Sequence, residues 1–267
     1  MTTDDSGAGR FAGQVALVTG GGSGIGAAVA RQLAAEGCVR VHVADVNADN
    51  AAQVAASVGA VAHTVDVTDA AAVDRLVEQV THDAGRLDVV VHTAGVDDPQ
   101  AKAWLLEAGE SGDPVDVLCR LSDEGWRRVM AVNLDGTFHV LRAAVRAMRP
   151  QGSGAIVSVG SSAAFDTLVG YPHYAASKAG VHALTQSVAK EAIAHGIRVN
   201  TVAPGPVDTP MAARTPASVR RAMEATGAIG YATPEQLADN ICYLASPGAA
   251  NVVGAVLLSN GGRFTVS

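Results

Sequence analysis

The sequence contains few cysteines, and their spacing matches no known framework. Cys38, Cys119 and Cys242 lie far apart without a Cys-x-x-Cys spacing. An odd number of separated cysteines in a chain of 267 residues does not make a disulfide framework. This pattern is typical of a reducing compartment, so we expect a cytoplasmic protein.

Long apolar runs and clusters of basic residues are also absent. No stretch approaches the roughly 18 consecutive apolar residues of a membrane span, and the polar, acidic start lacks the features of a secretory signal. Charged residues make up 17 % of the chain, the net charge is −7, and basic residues form no cluster beyond pairs. We therefore expect a soluble protein that binds neither nucleic acid nor membrane, with a flexible segment over residues 1–10.

The eight histidines show no metal-ligand pattern. They are scattered along the chain, and no His-x-x-x-His spacing occurs. The sequence therefore predicts no metal site. We interpret His92, His173 and His182 as packing or surface residues.

Apolar residues, at 48 % of the chain, are sufficient for a large core. Short valine-rich runs alternate with longer alanine-rich stretches of helical period, which predicts an α/β fold with a doubly wound parallel sheet over residues 11–267. The near-continuous apolar character of these runs predicts burial on both faces of the sheet. About seven strands are predicted, at residues 15–18, 39–44, 60–65, 87–91, 155–159, 197–202 and 255–258.

A glycine-rich turn at residues 19–26 follows the first predicted strand and precedes a helix-like stretch. A strand, a turn and a helix start in this order direct backbone N–H groups and the helix dipole at one point, where a pyrophosphate can bind. Glycines are required because a Cβ atom would block the approach. The pattern predicts a Rossmann-like domain whose phosphate-binding residues are Gly20, Gly22, Ser23, Gly24, Ile25 and Gly26.

Asp45 closes the second predicted strand, nineteen residues after Gly26. A carboxylate at this position accepts hydrogen bonds from the hydroxyl groups of an adenosine ribose. The same carboxylate would repel a 2′-phosphate. Asp45 therefore predicts NAD as the cofactor in preference to NADP.

Tyr174 and Lys178 form a predicted acid–base pair. If their segment is helical, a spacing of four places both side chains on one face, and the ammonium group then lowers the pKa of the phenol. Ser161, at the end of the preceding strand, is placed to hold a carbonyl or hydroxyl oxygen. Ser162 is the competing serine, and Tyr171 is a second phenol that has no lysine four residues later.

Two segments depart from the alternating pattern. Residues 96–121 follow the carboxyl end of a strand and are either an inserted loop over the pocket or a solvated surface excursion. Residues 205–230 begin with a high density of proline and glycine, which is typical of a mobile substrate loop and also of plain turns. Apolar residues of these segments predict a pocket for an apolar ring or chain, bordered by Trp104, Leu105, Leu106 and Met211.

Further motifs follow one another in a fixed order along nearly the whole chain: Thr19-Gly20-x-x-x-Gly24-x-Gly26, Asp66, Ala94-Gly95, Asn133, Ser161, Tyr174-x-x-x-Lys178, and Pro204-Gly205 with Thr209. With these motifs the sequence resembles the short-chain dehydrogenase/reductase family in its compact single-domain form. The resemblance implies that Tyr174 exchanges a proton with the substrate oxygen, which Ser161 positions. It also implies that Lys178 holds the nicotinamide ribose and that Asn133 fixes a water that relays protons through Lys178.

The resemblance also implies the remaining cofactor contacts and the assembly. Asp66 and Val67 lie near the adenine in similar proteins, and Thr209 lies near the carboxamide. Such proteins often form homotetramers. The complete set of predicted cofactor-binding residues is Gly20, Gly22, Ser23, Gly24, Ile25, Gly26, Asp45, Val46, Asp66, Val67, Ala94, Gly95, Tyr174, Lys178, Pro204, Gly205, Val207 and Thr209.

Two residues depart from the family pattern. Thr93 stands where an asparagine is usual, and Asn260 stands where an aspartate is common. With threonine at position 93, the hydrogen bonding of the central strand near the cofactor stays an open question. The segment 96–121 is also longer than the link usual in the family, so substrate specificity cannot be carried over.

Three functions are compatible with these residues. The leading hypothesis is an NAD-dependent oxidoreductase that interconverts a secondary alcohol and a ketone. The second is reduction of a 3-oxoacyl thioester, although such reductases tend to use NADPH, which Asp45 disfavours. The third is a dinucleotide-binding protein without catalytic activity, which an intact set of catalytic residues disfavours.

Overall fold

The computed structural model describes residues 9–215, 220–221 and 230–266. Within these residues one parallel sheet has the order β3-β2-β1-β4-β5-β6-β7, which confirms the predicted doubly wound α/β fold. The chain order changes direction between β1 and β4, and their carboxyl ends frame a crevice. The strands are β1 Val15–Thr19, β2 Arg40–Asp45, β3 Val61–Thr64, β4 Val89–His92, β5 Gly154–Val159, β6 Ile197–Pro204 and β7 Val256–Ser259.

Helices cover both faces of this sheet. Helices α1, α2 and α10 pack in one core cluster, and α3, α7 and α8 pack in the other. None of the helices in the described residues combines the length and hydropathy that a bilayer span requires. The helices are α1 Gly24–Ala35, α2 Ala48–Val58, α3 Ala70–Ala84, α4 Pro99–Ser111, α5 Val117–Arg120, α6 Asp123–Met130, α7 Gly136–Met148, α8 Pro172–Ala192, α9 Pro210–Ala213 and α10 Pro234–Ala245.

The central strands are buried on both faces because their side chains alternate between the two clusters. On β1, Val15 and Leu17 belong to one cluster, and Ala16 and Val18 belong to the other. The prediction of two-sided burial is wrong for the sheet edges. Most side chains of β3 are exposed, and those of β7 are only partly buried, because each edge strand has a single neighbour.

Residues 96–121 are largely helical, which corrects the predicted inserted loop. Helix α4 begins with Pro99 after Asp98, whose side chain accepts a hydrogen bond from the Gln100 N–H. The helix ends at Gly112, whose φ of 76° is readily adopted by glycine. The short helix α5 follows, so this segment is a pair of helices over the crevice side of the fold.

The chain start is ordered earlier than predicted. Residues 1–8 of the predicted flexible segment lie outside the described residues. Arg10, however, forms an ion pair with Glu36, and Phe11 is fully buried. Part of the predicted loop at 205–230 likewise lies outside, namely residues 216–219 and 222–229.

Candidate active site

A cavity of about 570 Å³ lies at the carboxyl ends of the parallel strands. Nearly all of the predicted catalytic and cofactor-binding residues line it, although they are spread over most of the sequence. Two do not: Gly22 and Asn133 lie behind the lining. The predicted residues on the cavity wall are Gly20, Ser23, Gly24, Ile25, Gly26, Asp45, Val46, Asp66, Val67, Ala94, Gly95, Ser161, Tyr174, Lys178, Pro204, Gly205, Val207 and Thr209.

The glycine-rich turn is packed so closely against neighbouring backbone that two of its glycines have no room for a side chain. A Cβ atom on Gly20 would lie 2.4 Å from the Ala94 nitrogen, and one on Gly26 would lie 2.2 Å from the Gly20 oxygen. Gly20 also has a φ of 71°. Helix α1 begins at Gly24, so its N–H groups and dipole point into the cavity. The turn therefore fits a pyrophosphate held by backbone groups.

The Asp45 carboxylate is fixed beside this turn. Its Oδ2 accepts a hydrogen bond from the Gly22 N–H at 3.0 Å, and its Oδ1 accepts one from the Asn47 N–H at 2.9 Å. Gly22 is therefore a support for Asp45 rather than a wall residue. Each carboxylate oxygen has further lone pairs for a ribose hydroxyl.

Both departures from the family pattern are accommodated by hydrogen bonds. The Thr93 hydroxyl donates to the carbonyl oxygens of Thr19 and Gly20, at 2.9 and 3.1 Å. Thr93 therefore joins the end of β4 to the glycine-rich turn. Asn260 is buried; its Nδ2 donates to the Phe264 carbonyl, and its Oδ1 accepts from the Gly262 N–H.

Tyr174 and Lys178 lie on one face of α8, as their spacing predicts. The Lys178 Nζ atom is 5.9 Å from the centre of the Tyr174 ring. The same atom donates a hydrogen bond to the Val159 carbonyl at 2.9 Å, which ties the helix to the end of β5. Lys178 is 5 % exposed and is therefore a nearly buried cation at the cavity wall.

The predicted direction of the Tyr174 pKa is wrong for this structure. Burial raises the pKa of the phenol, the Ser161 hydroxyl lowers it, and the Asp97 carboxylate raises it further. Burial also lowers the pKa of Lys178 to about 8. Lys178 does not offset the desolvation of the phenol, and its Nζ is bound to the Val159 carbonyl rather than to the Tyr174 hydroxyl.

Ser161, rather than Ser162, is the serine whose hydroxyl lowers the pKa of Tyr174, as the sequence spacing favoured. Its hydroxyl accepts a hydrogen bond from the Ala163 N–H at 3.1 Å, and the residue is 8 % exposed. Tyr171 also lines the cavity, and burial raises its pKa to about 12. Ser161 and Tyr174 are therefore the hydroxyl pair of the site.

Asn133 supports the cavity wall from behind. It is fully buried in a π-helical turn between α6 and α7. Its Oδ1 accepts from the Val96 N–H at 2.8 Å, and its Nδ2 donates to the Val96 carbonyl and to Ser177 Oγ. Every polar atom of the side chain has a protein partner, so the predicted water relay stays a prediction.

Sequence reasoning missed a set of ion pairs at the cavity, here called the ionic clasp and formed by Asp97, Lys102 and Arg214. Asp97 is 6 % exposed and pairs with Lys102 at 2.5 Å and with Arg214 at 2.8 Å. Lys102 also donates to the Met211 carbonyl at 3.2 Å. The clasp therefore joins α4 to the segment around α9. An acidic residue five positions after the carboxyl end of β4 was its signal in the sequence.

The histidines are more closely tied to the site than predicted. His92, His173 and His182 are all buried, so none is a surface residue. His173 precedes Tyr174, and its Nε2 lies 3.1 Å from the Asp98 carboxylate. Burial lowers the pKa of His92 to about 3 and that of His182 to about 4.

The predicted apolar border of the pocket is only partly right. Met211 lines the cavity, but Trp104, Leu105 and Leu106 are not among the described residues of its wall. The ring of Trp104 instead lies against the Arg120 guanidinium, 4.9 Å away. The wall also carries a mixed set of polar and apolar residues, which we propose as the substrate end of the cavity: Asp97, Lys102, Leu168, Tyr171, Met211, Tyr231 and Phe264.

Comparison with known proteins places this geometry in a family. Residues 14–219 match the family model described as short chain dehydrogenase. The chain belongs to this family. It is an oxidoreductase that uses a nicotinamide dinucleotide, and relatives in the family act on alcohols. No group of three or more potential metal ligands occurs in the parts of the chain that the structure describes.

The similarity to known proteins extends over almost the whole length of this short-chain dehydrogenase and of each relative. The cis-4-hydroxycyclohexanecarboxylate dehydrogenase of Sinomonas cyclohexanicum is 42 % identical, over 96 % of this chain and 98 % of the relative. The 3-oxoacyl-(acyl-carrier-protein) reductase of Thermotoga maritima is 35 % identical, over 95 % and 98 %. The crystal structure of a short-chain type dehydrogenase/reductase from Mycobacterium marinum has a TM-score of 0.86 and 29 % identity, over 96 % and 97 %.

Proposed function

We propose that this short-chain dehydrogenase interconverts a secondary alcohol and a ketone with NAD, and that Tyr174 is its general acid and base. One observation carries the proposal: Tyr174, Ser161 and Lys178 share a cavity with the glycine-rich turn and Asp45. The site thus joins a proton-transfer group to a nucleotide cradle. No metal is required for this chemistry.

The dinucleotide supplies the atom that accepts or donates hydride. The residues of this chain bind it, orient the substrate and move a proton. Ser161 positions the substrate oxygen, and Tyr174 donates a proton to it in reduction or accepts one in oxidation. Because burial raises the Tyr174 pKa, the phenol is protonated at neutral pH, which is the form that reduction needs. Oxidation needs the phenolate, so its rate should rise with pH.

Asp45 supports NAD rather than NADP. Its carboxylate is held against the glycine-rich turn by two backbone N–H groups. A 2′-phosphate at this end of the cavity would meet a fixed negative charge, whereas a ribose hydroxyl would donate to it. We propose that the other predicted contacts hold the adenine, ribose and carboxamide as the sequence indicates.

Reduction of a 3-oxoacyl thioester is the second candidate. The similarity to the Thermotoga maritima reductase favours it, and the charge of Asp45 disfavours the NADPH that such reductases tend to use. A dinucleotide-binding protein without activity is the third candidate. The presence of both Ser161 and Tyr174 on the cavity wall disfavours it, because binding alone does not require that pair.

The substrate, assembly and location complete the proposal. Leu168, Met211 and Phe264 on the cavity wall support a mainly apolar substrate. The similarity to a hydroxycyclohexanecarboxylate dehydrogenase supports a ring alcohol. We also propose a single domain over residues 11–267, a homotetramer and a cytoplasmic location; the three cysteines are unpaired, which suits a reducing compartment.

A substrate panel with both cofactors tests the proposed function. Purified protein is assayed with NAD and NADP on cyclic and open-chain secondary alcohols, and with NADH and NADPH on the matching ketones and a 3-oxoacyl thioester. We expect turnover of ring alcohols and ketones with NAD(H). Turnover confined to the thioester with NADPH would support the second candidate, and no turnover on the panel would contradict both enzyme functions.

A further inference from the structure

His182 extends the face of α8 that carries Tyr174 and Lys178. The three residues lie four apart, so their side chains follow one another along one side of the helix. His182 is 7 % exposed and has no part in the proposed chemistry. Its Nε2 lies next to the backbone of Ser161.

The backbone that carries Ser161 is held at three successive residues. The Val159 carbonyl accepts from Lys178 Nζ, and the Gly160 N–H donates to a carbonyl of β6 at 2.8 Å. The Ser161 N–H donates to His182 Nε2 at 3.4 Å. His182 is thus the side chain that receives the N–H of Ser161, and it is not one of the residues that line the cavity.

The imidazole of His182 is fixed in this orientation. A Cβ atom on Gly160 would lie 2.1 Å from Nε2, so the ring is packed directly against the backbone at that residue. On its other side the ring contacts Phe165, with 5.0 Å between ring centres. Burial and the nearby Lys178 cation lower the His182 pKa to about 4, so the imidazole is neutral at neutral pH. In the tautomer that carries its proton on Nδ1, Nε2 accepts the hydrogen bond from the Ser161 N–H.

We propose that His182 is a positioning residue that holds Ser161, through its backbone N–H, in the place where its hydroxyl meets both Tyr174 and the substrate oxygen. This inference rests on the proposed function, because it assigns His182 to the same reaction. A small displacement of Ser161 weakens its contact with the reacting oxygen, and misplaced groups of this kind reduce rate more than binding.

Two substitutions separate positioning from mere packing. In His182→Leu an apolar side chain fills the space of the imidazole, and the hydrogen-bond acceptor is lost. In His182→Gln a hydrogen-bond acceptor is kept, but on a more flexible side chain. We expect His182→Leu to lower kcat about tenfold with an unchanged Kd for NADH, and His182→Gln to recover part of the loss. His82→Leu is the matched control, since the His82 side chain is 89 % exposed, and it should leave kcat unchanged.

A double-substitution cycle with Ser161→Ala makes the test specific. Once the hydroxyl is gone, its placement no longer matters, so His182→Leu should add little to the effect of Ser161→Ala. Amide hydrogen exchange at Ser161 is a second readout that needs no turnover, and it should be faster in His182→Leu than in the wild type. Independent, additive effects on kcat or unchanged exchange at Ser161 would overturn the proposal.

These readouts also distinguish the two proposals from each other. A wild-type protein that turns over no substrate contradicts the proposed function, while the exchange rate at Ser161 still decides whether His182 holds it. An active wild type with a fully active His182→Leu variant contradicts this inference alone. If His182→Leu fails to melt cooperatively, His182→Gln takes its place in the cycle and in the exchange measurement, where smaller effects of the same sign are expected.

Discussion

At the scale of single residues, Lys178 shows the cost of placing a charge in the site. It is nearly buried, and its Nζ atom has one carbonyl partner but no carboxylate within ion-pair distance in the described residues. Burial without a counter-ion disfavours the charged form, which lowers the Lys178 pKa to about 8. The protein therefore carries a destabilising residue where the proposed chemistry uses a cation.

Replacing this cation should stabilise the protein. We expect Lys178→Met to raise the free energy of unfolding by about 1–2 kcal/mol at pH 7, because desolvation of the ammonium is relieved and one hydrogen bond is lost. The unfolded lysine binds its proton up to about pH 10.5, whereas the folded one releases it near pH 8, so wild-type stability gains between these values. The advantage of Lys178→Met should therefore shrink from pH 8 to pH 10.5.

Urea unfolding at several pH values measures this effect. Lys190→Met on the same helix is the control, since Lys190 is exposed and its replacement should change stability by less than about 0.5 kcal/mol. A Lys178→Met variant that is less stable than the wild type at pH 7 would show that the lysine stabilises the folded state.

Asp45 makes a second prediction at the residue scale. Asp45→Ala removes the charge beside the glycine-rich turn, so the ratio of kcat/KM with NAD to kcat/KM with NADP should fall about tenfold or more. Asp49→Ala, at an exposed acid on α2, should leave the ratio unchanged. An unaltered ratio in Asp45→Ala would mean that another residue selects the cofactor.

Residue positions were predictable where spacing alone decides proximity. Tyr174 and Lys178 share a helix, and Asp45 ends a strand, so sequence distance determined where each would lie. The same i, i+4 rule applied once more would have found His182. The Tyr174 pKa was not predictable, because it depends on burial and on Asp97, which approaches from a different segment.

At the scale of elements, the ionic clasp joins two parts of the cavity wall. Asp97 follows Val96, which Asn133 fixes by two hydrogen bonds. From this fixed point Asp97 binds Lys102 on α4 and Arg214 just after α9. The clasp thus links both segments of the substrate end to the body of the domain.

Breaking the clasp should loosen the substrate end. Asp97→Asn leaves Lys102 nearly buried without its counter-ion, so we expect a several-fold higher KM for the alcohol and faster hydrogen exchange over residues 205–215. The Kd of NADH should change little. Glu107→Gln is the control, because its ion pair with Arg120 is exposed and outside the cavity wall. Equal KM values in Asp97→Asn and Glu107→Gln would contradict this role.

The helical character of residues 96–121 was not predicted for a physical reason. Helix α4 buries one residue completely, Ala101, so it has little of the apolar periodicity that marks a helix. Its local signals were present as the Asp98 cap, the following Pro99 and the final Gly112. Its bond to the second segment through Lys102 is a tertiary contact that no local pattern encodes.

At the scale of the whole molecule, the fold was predictable because the same relation between sequence pattern and structure holds throughout its core. Buried parallel strands read as valine-rich runs, and right-handed crossovers between them restrict the topology. The glycine-rich turn then fixed which edge of the sheet holds the site. The substrate end was not predictable, since it is formed by side chains from segments that follow different strands.

The central claim is that one phenol transfers the proton in a site that binds NAD. Tyr174→Phe removes the hydroxyl and keeps the ring, so NADH should bind with a Kd within about twofold of the wild type while kcat falls by about 10²–10⁴. The decisive measurement combines two assays on one preparation of Tyr174→Phe. The first is turnover of the alcohol that the wild type oxidises best, and the second is a titration with NADH. Retained binding with lost turnover is the predicted result, and wild-type turnover in that variant would contradict the account.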